Sequence, residues 1–105
     1  MNDETVIAKK HPIEILENIY QQGNRKYLNV SAPMVRYSKL AFRETVRKYN
    51  VDLCFTPMIL ADVFRNSALS RDCELQISHS DDPLIVQFAA SNGKDAADAA
   101  EMVCR

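Results

Sequence analysis

The sequence predicts an α/β fold in which parallel strands alternate with helices. Apolar segments of strand length are followed by helical segments three times between Tyr27 and Arg105. The first two of these segments end at Pro33 and Pro57, and proline ends a strand because it has no N–H to donate. Such alternation is typical of βαβ units, which place their strands side by side in a parallel sheet.

Composition places the chain among ordinary globular proteins of one small domain. Its 105 residues are 47% hydrophobic and 26% charged, and the net charge of −1 excludes strong nucleic-acid attraction by the chain as a whole. No apolar run approaches the roughly 20 residues that span a bilayer, and no signal-peptide core follows the polar N-terminus. Three irregularly spaced cysteines do not form a disulfide framework, and no Cys/His spacing indicates a metal site. We therefore predict an intracellular, cytoplasmic protein without metal or membrane attachment.

Two regions are predicted. Residues 1–27 form a polar extension with one short helix, Pro12–Gln22, because Pro12 suits a first helical position and Gly23 a C-terminal cap. Residues 28–105 form the folded domain. Its predicted strands are Tyr27–Ala32, Val51–Thr56 and Leu84–Ala90, and its predicted helices are Lys39–Tyr49, Met58–Arg65 and Lys94–Arg105. The polar segment Asn66–Pro83 is expected to be irregular.

The turn after the first strand, Pro33-Met34-Val35, is a candidate ligand site. Ligands of α/β folds bind at the carboxyl ends of parallel strands. The exposed backbone of such a turn can approach a flat ring and hydrogen-bond its polar edge. The alternative is that Pro33 and Met34 simply end a strand.

Gln87 is a second candidate because it interrupts the most apolar segment of the chain. A buried amide without partners costs about 1–3 kcal/mol, so either a neighbouring strand residue or a ligand must satisfy it. The amide both donates and accepts, which matches the N–H and C=O groups along the edge of a pyrimidine-type ring.

The basic residues near the turn divide into three groups. Arg36 and Lys39 lie beside the candidate site and can meet phosphate groups. Arg43 is expected to make structural hydrogen bonds. Arg47 and Lys48 are expected to lie in solvent.

Other reactive residue types are predicted to be structural or inert. Cys54 lies inside an apolar strand and is expected to be core, while Cys73 and Cys104 lack the surroundings of an activated thiol. The acidic turn Asp81-Asp82 is not expected to be a catalytic pair.

The triplet Ala32-Pro33-Met34, with Phe42-Arg43 beginning eight residues after Met34, resembles the N-terminal signature of the tRNA-dihydrouridine synthases. The resemblance extends over about residues 28–105. The forms Met-Val-Arg-Tyr-Ser-Lys-Leu and Pro-Met-Ile-Leu-Ala are most like the branch that modifies D-loop uridines 20a and 20b. Many other members have Ala-Gly-Val-Thr-Asp after the methionine.

The resemblance implies a TIM-type (β/α)₈ barrel that binds FMN and reduces uridine in tRNA. NADPH reduces the flavin, the flavin delivers hydride to C6 of uracil, and a cysteine protonates C5. It also implies that Pro33, Met34, Val35 and Gln87 contact the flavin.

The resemblance further implies that this chain is an N-terminal portion of such a barrel, with about three βα units. The catalytic cysteine of the family's Asn-Cys-Gly-Cys-Pro motif is expected after Arg105, so the 105 residues alone are expected to be inactive. Residues 28–105 would then be an incomplete FMN-binding domain with an open sheet edge that can associate with another chain. A small flavodoxin-like binding domain and a non-catalytic interaction module remain alternatives.

Overall fold

The computed structural model describes residues 11–22 and 27–104. The described helices are α1 (Pro12–Gln22), α2 (Leu40–Arg47), α3 (Ala61–Asn66), α4 (Ala68–Glu74) and α5 (Gly93–Val103). The strands are β1 (Cys54–Phe55), β2 (Ile59–Leu60), β3 (Leu84–Ile85) and β4 (Phe88–Ala89). The predicted helix Pro12–Gln22 is confirmed, whereas the predicted cap at Gly23 lies outside the described residues, as do residues 1–10.

All strand pairings in the described chain are parallel, which confirms the predicted parallel α/β arrangement. β1 pairs with β3 and β2 pairs with β4, and a single parallel bridge joins Val30 to Leu53. The three predicted strand segments therefore lie side by side in their order along the chain. Their carboxyl ends point toward one edge of the sheet.

The predicted first strand, Tyr27–Ala32, is shorter than expected because a side chain takes the place of a backbone partner. The Asn29 N–H donates to the carboxylate of Asp52 over 2.8 Å, while the Asn29 carbonyl accepts from the N–H groups of Asp52 and Leu53. Only Val30 makes a ladder bridge, and Ser31 adds one hydrogen bond to the Leu53 carbonyl at 2.8 Å. A carboxylate that binds backbone N–H groups competes with sheet pairing.

The second and third strand segments are interrupted next to each other, between β1 and β2 and between β3 and β4. The Gln87 N–H donates to Oγ1 of Thr56 over 3.0 Å instead of to a backbone carbonyl, and Pro57 has no N–H to offer. Pairing resumes when the Ile59 N–H donates to the Gln87 carbonyl over 2.9 Å. The predicted helix Met58–Arg65 is therefore wrong at its start, since Ile59 and Leu60 form β2 and α3 begins at Ala61.

The polar segment Asn66–Pro83 is not irregular throughout, because it contains α4. Ser67 caps this helix, since its side chain accepts from the Ser70 N–H over 3.1 Å. The Arg71 guanidinium donates to the carbonyls of Phe64 and Arg65 over 2.8 and 3.1 Å. These bonds satisfy the carboxyl end of α3 and hold α4 against it.

The predicted helix Lys39–Tyr49 ends earlier than expected, at Arg47. Asn50, just beyond the helix, adopts the left-handed conformation with φ of 73°, which asparagine tolerates better than most residues. The side chain of Tyr49, also beyond the helix end, is 78% exposed.

The core lies where α3 and α5 cover β2 and β4. Its buried members are Ile59, Ala61, Phe64 and Ala99, with Leu75, Val86, Phe88 and Val103 packed around them. The rings of Phe64 and Phe88 meet edge to face, with centroids 5.1 Å apart and planes at 64°. Arg65 adds ion pairs to Asp95 and Asp98 of α5, at 3.1 and 3.0 Å. Among the described helices, none is long and apolar enough to cross a membrane.

We predict that Phe64→Ala lowers the free energy of unfolding by about 3–5 kcal/mol, because it removes the largest apolar side chain of the core and leaves a cavity. Val63→Ala, on the exposed face of the same helix, is expected to change it by about 0.5 kcal/mol or less. Urea unfolding followed by circular dichroism measures both. Equal losses for the two variants would contradict this assignment of the core.

Candidate functional site

The turn at the end of the first strand, residues 33–38, is locked by Ser38. The Ser38 side chain accepts from the Met34 N–H over 2.9 Å and donates to the Met34 carbonyl over 3.0 Å. The backbone N–H groups of Tyr37 and Ser38 donate to the same carbonyl, at 3.1 and 3.0 Å. Because Ser38 is fully buried, these bonds fix the turn to the body of the domain.

The three predicted ligand contacts in this turn lie at its accessible side. Pro33 is exposed, Met34 is half-buried, and Val35 is 58% exposed. No acceptor in the described part of the chain takes the N–H of Val35. This N–H is therefore free to bind a polar ligand atom.

Gln87 lies at the interruption of the third strand segment, between β3 and β4, and uses only its backbone within the sheet. Its N–H is bound to Thr56 and its carbonyl accepts from Ile59. The side chain is half-buried, and its amide bonds to no other residue between 27 and 104. Over the described residues no polar side-chain atom is buried without a partner, so this amide reaches solvent. The described chain thus offers no neighbour that satisfies Gln87, which leaves its donor and acceptor available.

Thr56 links the second and third strand segments at the point where both are interrupted. It is fully buried, accepts from the Gln87 N–H and donates to the Pro57 carbonyl over 3.0 Å. The backbone from which the Gln87 side chain projects is therefore held rigidly. Sequence reasoning missed this role, and the only available signal was a polar residue directly before the strand-ending proline.

A buried ion-pair cluster of Arg43, Arg47 and Asp81 lies behind the turn. Nε and Nη2 of Arg43 bind one carboxylate oxygen of Asp81 at 2.9 and 2.7 Å, and Arg47 Nη2 binds the other at 3.0 Å. Arg43 and Asp81 are 2% and 1% exposed. Arg43 also donates to the Ser38 carbonyl over 2.7 Å, so the cluster holds the base of the turn.

The structural role predicted for Arg43 is confirmed, whereas the solvent position predicted for Arg47 is wrong. Arg47 pairs with Asp81 and donates to the carbonyls of Asp82 and Pro83, at 3.2 and 2.7 Å. The signal for this pairing was present, because residues four apart on a helix share a face and two buried cations require a counter-ion. Lys48 is exposed, as expected.

Arg36 and Lys39 are exposed on either side of Tyr37. Neither side chain forms an ion pair or hydrogen bond with another residue that the structure describes. Both charges are therefore available to an anionic partner. The structure places them at the turn, beside Val35, as the sequence predicts.

Cys54 is fully buried, as predicted for a core position. Burial raises the pKa of its thiol; the charges of Arg47 and Arg43 lower it and that of Asp81 raises it, but burial has the largest effect. Cys73 and Cys104 are exposed. Within residues 11–22 and 27–104, no group of three or more His, Cys, Asp or Glu side chains is placed to hold a metal ion.

The helices and the short parallel strands define an α/β protein, and the turn at residues 33–38 and the Gln87 amide are its candidate ligand site. Residues 30–105 match the family model described as dihydrouridine synthase (Dus), and the chain belongs to that family.

Relatives with curated names agree with this assignment. The chain is 52% identical over 96 residues to a human protein named tRNA-dihydrouridine(20a/20b) synthase [NAD(P)+]-like, which covers 91% of this chain and 28% of that protein. It is 39% identical over 98 residues to the Saccharomyces cerevisiae tRNA-dihydrouridine(20a/20b) synthase [NAD(P)+], which covers 93% of this chain and 26% of that protein. The chain thus spans little more than a quarter of the length of these relatives. No solved structure matches it.

We predict that Asp81→Asn lowers the free energy of unfolding by about 3–5 kcal/mol, because it leaves Arg43 and Arg47 without their buried counter-ion. Asp98→Asn removes a carboxylate from a more exposed pair with Arg65 and is expected to cost about 1 kcal/mol or less. Denaturant unfolding of the two variants tests the difference. Similar small losses would show that the buried cluster is dispensable.

We predict that iodoacetamide at pH 8 alkylates Cys73 and Cys104 in the folded chain but spares Cys54. Alkylation requires the thiolate, and burial keeps the reagent away from Cys54. Burial also raises the pKa of Cys54, so its thiolate forms only at a higher pH than in the unfolded chain. Mass spectrometry should count two adducts under native conditions and three in guanidinium chloride. Three rapid native adducts would contradict the buried position.

Proposed function

We propose that the chain is part of a tRNA-dihydrouridine synthase that reduces uridine to 5,6-dihydrouridine in the tRNA D-loop, at positions 20a and 20b. Membership of the family and the names of the relatives support the reaction and the positions. Residues 28–105 supply about three βα units of a TIM-type barrel in this proposal. The parallel order of the strand segments supports that arrangement. The enzyme would act inside the cell, in the cytoplasm.

FMN is the cofactor in this proposal, with NADPH as the reductant. The chemistry that FMN supplies when bound is hydride transfer to the uracil ring. The observation that carries the proposal is the free amide of Gln87, just beyond the carboxyl end of β3. The Val35 N–H, in the turn after the first strand segment, also lacks an acceptor in the described chain. A flavin edge alternates C=O and N–H groups, and these two protein groups offer the complementary donors and acceptor.

Each predicted contact has a distinct task. Gln87 hydrogen-bonds the polar edge of the ring, while Pro33 ends the strand so that Met34 and Val35 can face the ring plane. Ser38 and Thr56 bind no ligand in this proposal, but they fix the backbones from which Met34 and Gln87 project. The cofactor-facing groups are therefore held in place before the ligand binds, which lowers the cost of binding.

Arg36 and Lys39 are proposed to bind phosphates of the tRNA. Both cations are exposed beside the proposed flavin contacts, so they can hold RNA close to the ring. The proton donor to uracil in this proposal is the cysteine of the family's Asn-Cys-Gly-Cys-Pro motif, which these 105 residues do not contain. We therefore expect these 105 residues alone not to form dihydrouridine.

We predict that FMN fluorescence is quenched saturably by the purified 105-residue chain and that Gln87→Ala raises the dissociation constant about 5- to 100-fold. The expected loss corresponds to about 1–3 kcal/mol for a polar ligand edge left without its partner. Gln21→Ala is the matched control, because Gln21 is an exposed glutamine on α1, outside the strand segments. Absence of saturable quenching, or an equal loss in both variants, would contradict the proposed flavin site.

A further inference from the structure

The tip of the turn carries a backbone conformation that its residue does not favour. Arg36 has φ of 73°, in the left-handed region that non-glycine residues rarely adopt. Glycine would adopt this conformation without strain, whereas an arginine is strained there. Local backbone preference therefore does not account for an arginine at the tip of the turn.

Tyr37 follows Arg36 and is 70% exposed. Its N–H is bound to the Met34 carbonyl, and the next residue, Ser38, is buried and held by Arg43. The backbone below the ring is therefore fixed while the ring itself lies in solvent. Its side chain forms no hydrogen bond or ring contact with the described residues.

Tyr37 is an exposed aromatic ring on a fixed backbone, with one unpaired cation before it and one after it in the chain. This combination is suited to binding unpaired nucleic acid. Aromatic side chains stack on unstacked bases, and neighbouring Arg and Lys side chains bind the flanking phosphates. The chain as a whole has a net charge of −1, so an attraction to RNA must be local. The Arg36–Lys39 segment provides such a local positive charge.

We propose that Tyr37 stacks on an unpaired base of the D-loop of the substrate tRNA while Arg36 binds an adjacent phosphate. This inference rests on the proposed function for its partner, but it assigns a role to Tyr37 that the flavin site does not require. The side chains of Arg36 and Tyr37 are both exposed, directly after Val35 of the proposed site. The turn would then hold the RNA strand beside the base that is reduced.

The test is fluorescence anisotropy of a labelled, unmodified tRNA transcript titrated with the 105-residue chain. Tyr37→Ala is expected to weaken binding about 5- to 100-fold, which is the range for loss of one stacked base. Tyr37→Phe keeps the ring and is expected to bind within about twofold of the unchanged chain. Tyr49→Ala is the matched control, because Tyr49 is also an exposed tyrosine beside a lysine, at the opposite end of α2.

Arg36→Gly separates the binding role from folding. It is expected to leave thermal stability unchanged or higher, since it relieves the left-handed strain, yet to weaken tRNA binding. The slope of log Kd against log salt should fall by about 0.7–0.9, as expected for one lost phosphate contact. Asn50→Gly is the control, because Asn50 has the same φ of 73° and lies away from the turn. That variant should keep both its tRNA affinity and its salt slope.

Several results would overturn the inference. These are absence of saturable tRNA binding by the unchanged chain, equal effects of Tyr37→Ala and Tyr49→Ala, and loss of affinity in Tyr37→Phe. FMN titration of the Tyr37→Ala chain distinguishes loss of stacking from damage to the turn, and a parallel loss of FMN affinity would also count against stacking. If the unchanged chain binds FMN but Tyr37→Ala binds tRNA normally, this inference fails while the proposed flavin site stands. If the chain fails to bind FMN but shows the Tyr37 effect, the flavin site fails and the RNA contact stands.

Discussion

The buried ion pair between Arg43 and Asp81 is the interaction on which the rest of the structure depends. It joins residues separated by 38 positions in sequence, with both side chains almost completely removed from solvent. Removing two charges from water costs several kcal/mol per ion, and this cost is offset only when the remaining donors and acceptors are also satisfied. Here Arg47 binds the second carboxylate oxygen, while Nη1 and Nη2 of Arg43 donate to the carbonyls of Ser38 and Gln76, at 2.7 and 2.8 Å.

The same cluster connects the two halves of the proposed site. Through the Ser38 carbonyl it holds the turn that follows the first strand, and through Arg47 it holds the Asp82 and Pro83 carbonyls directly before β3. Helix α2 therefore fixes the turn that follows the first strand segment and the residues that directly precede β3. A hydrophobic contact alone would not specify these positions as closely, because guanidinium–carbonyl bonds are directional.

The sequence was sufficient to predict the parallel α/β class, the approximate strand positions and the Pro12–Gln22 helix, but not where the strands break. Asp52 and Thr56 replace backbone partners with side-chain oxygens, and hydrophobic periodicity carries no information about such a replacement. α4 was missed because its polar composition resembled a loop, although Ser67 is a favoured capping residue. Within the site, the accessibility of Val35 and the unpaired amide of Gln87 could not be known from sequence, since both depend on what neighbouring segments leave unsatisfied.

The polar groups near the strand ends differ in whether other residues already bind them. Ser38 and Thr56 are fully buried, and the single proton of each hydroxyl is donated to a backbone carbonyl, so neither is available to donate to a ligand. Gln87 is the opposite case, because its backbone is fully used and its amide is bound by no other described residue. Because this amide reaches solvent, a ligand there would exchange its hydrogen bonds to water for bonds to the ligand. In this domain the residues that fix the backbone, Ser38 and Thr56, are different from those that we propose bind a cofactor, which is how a small and interrupted sheet could present a preorganised site.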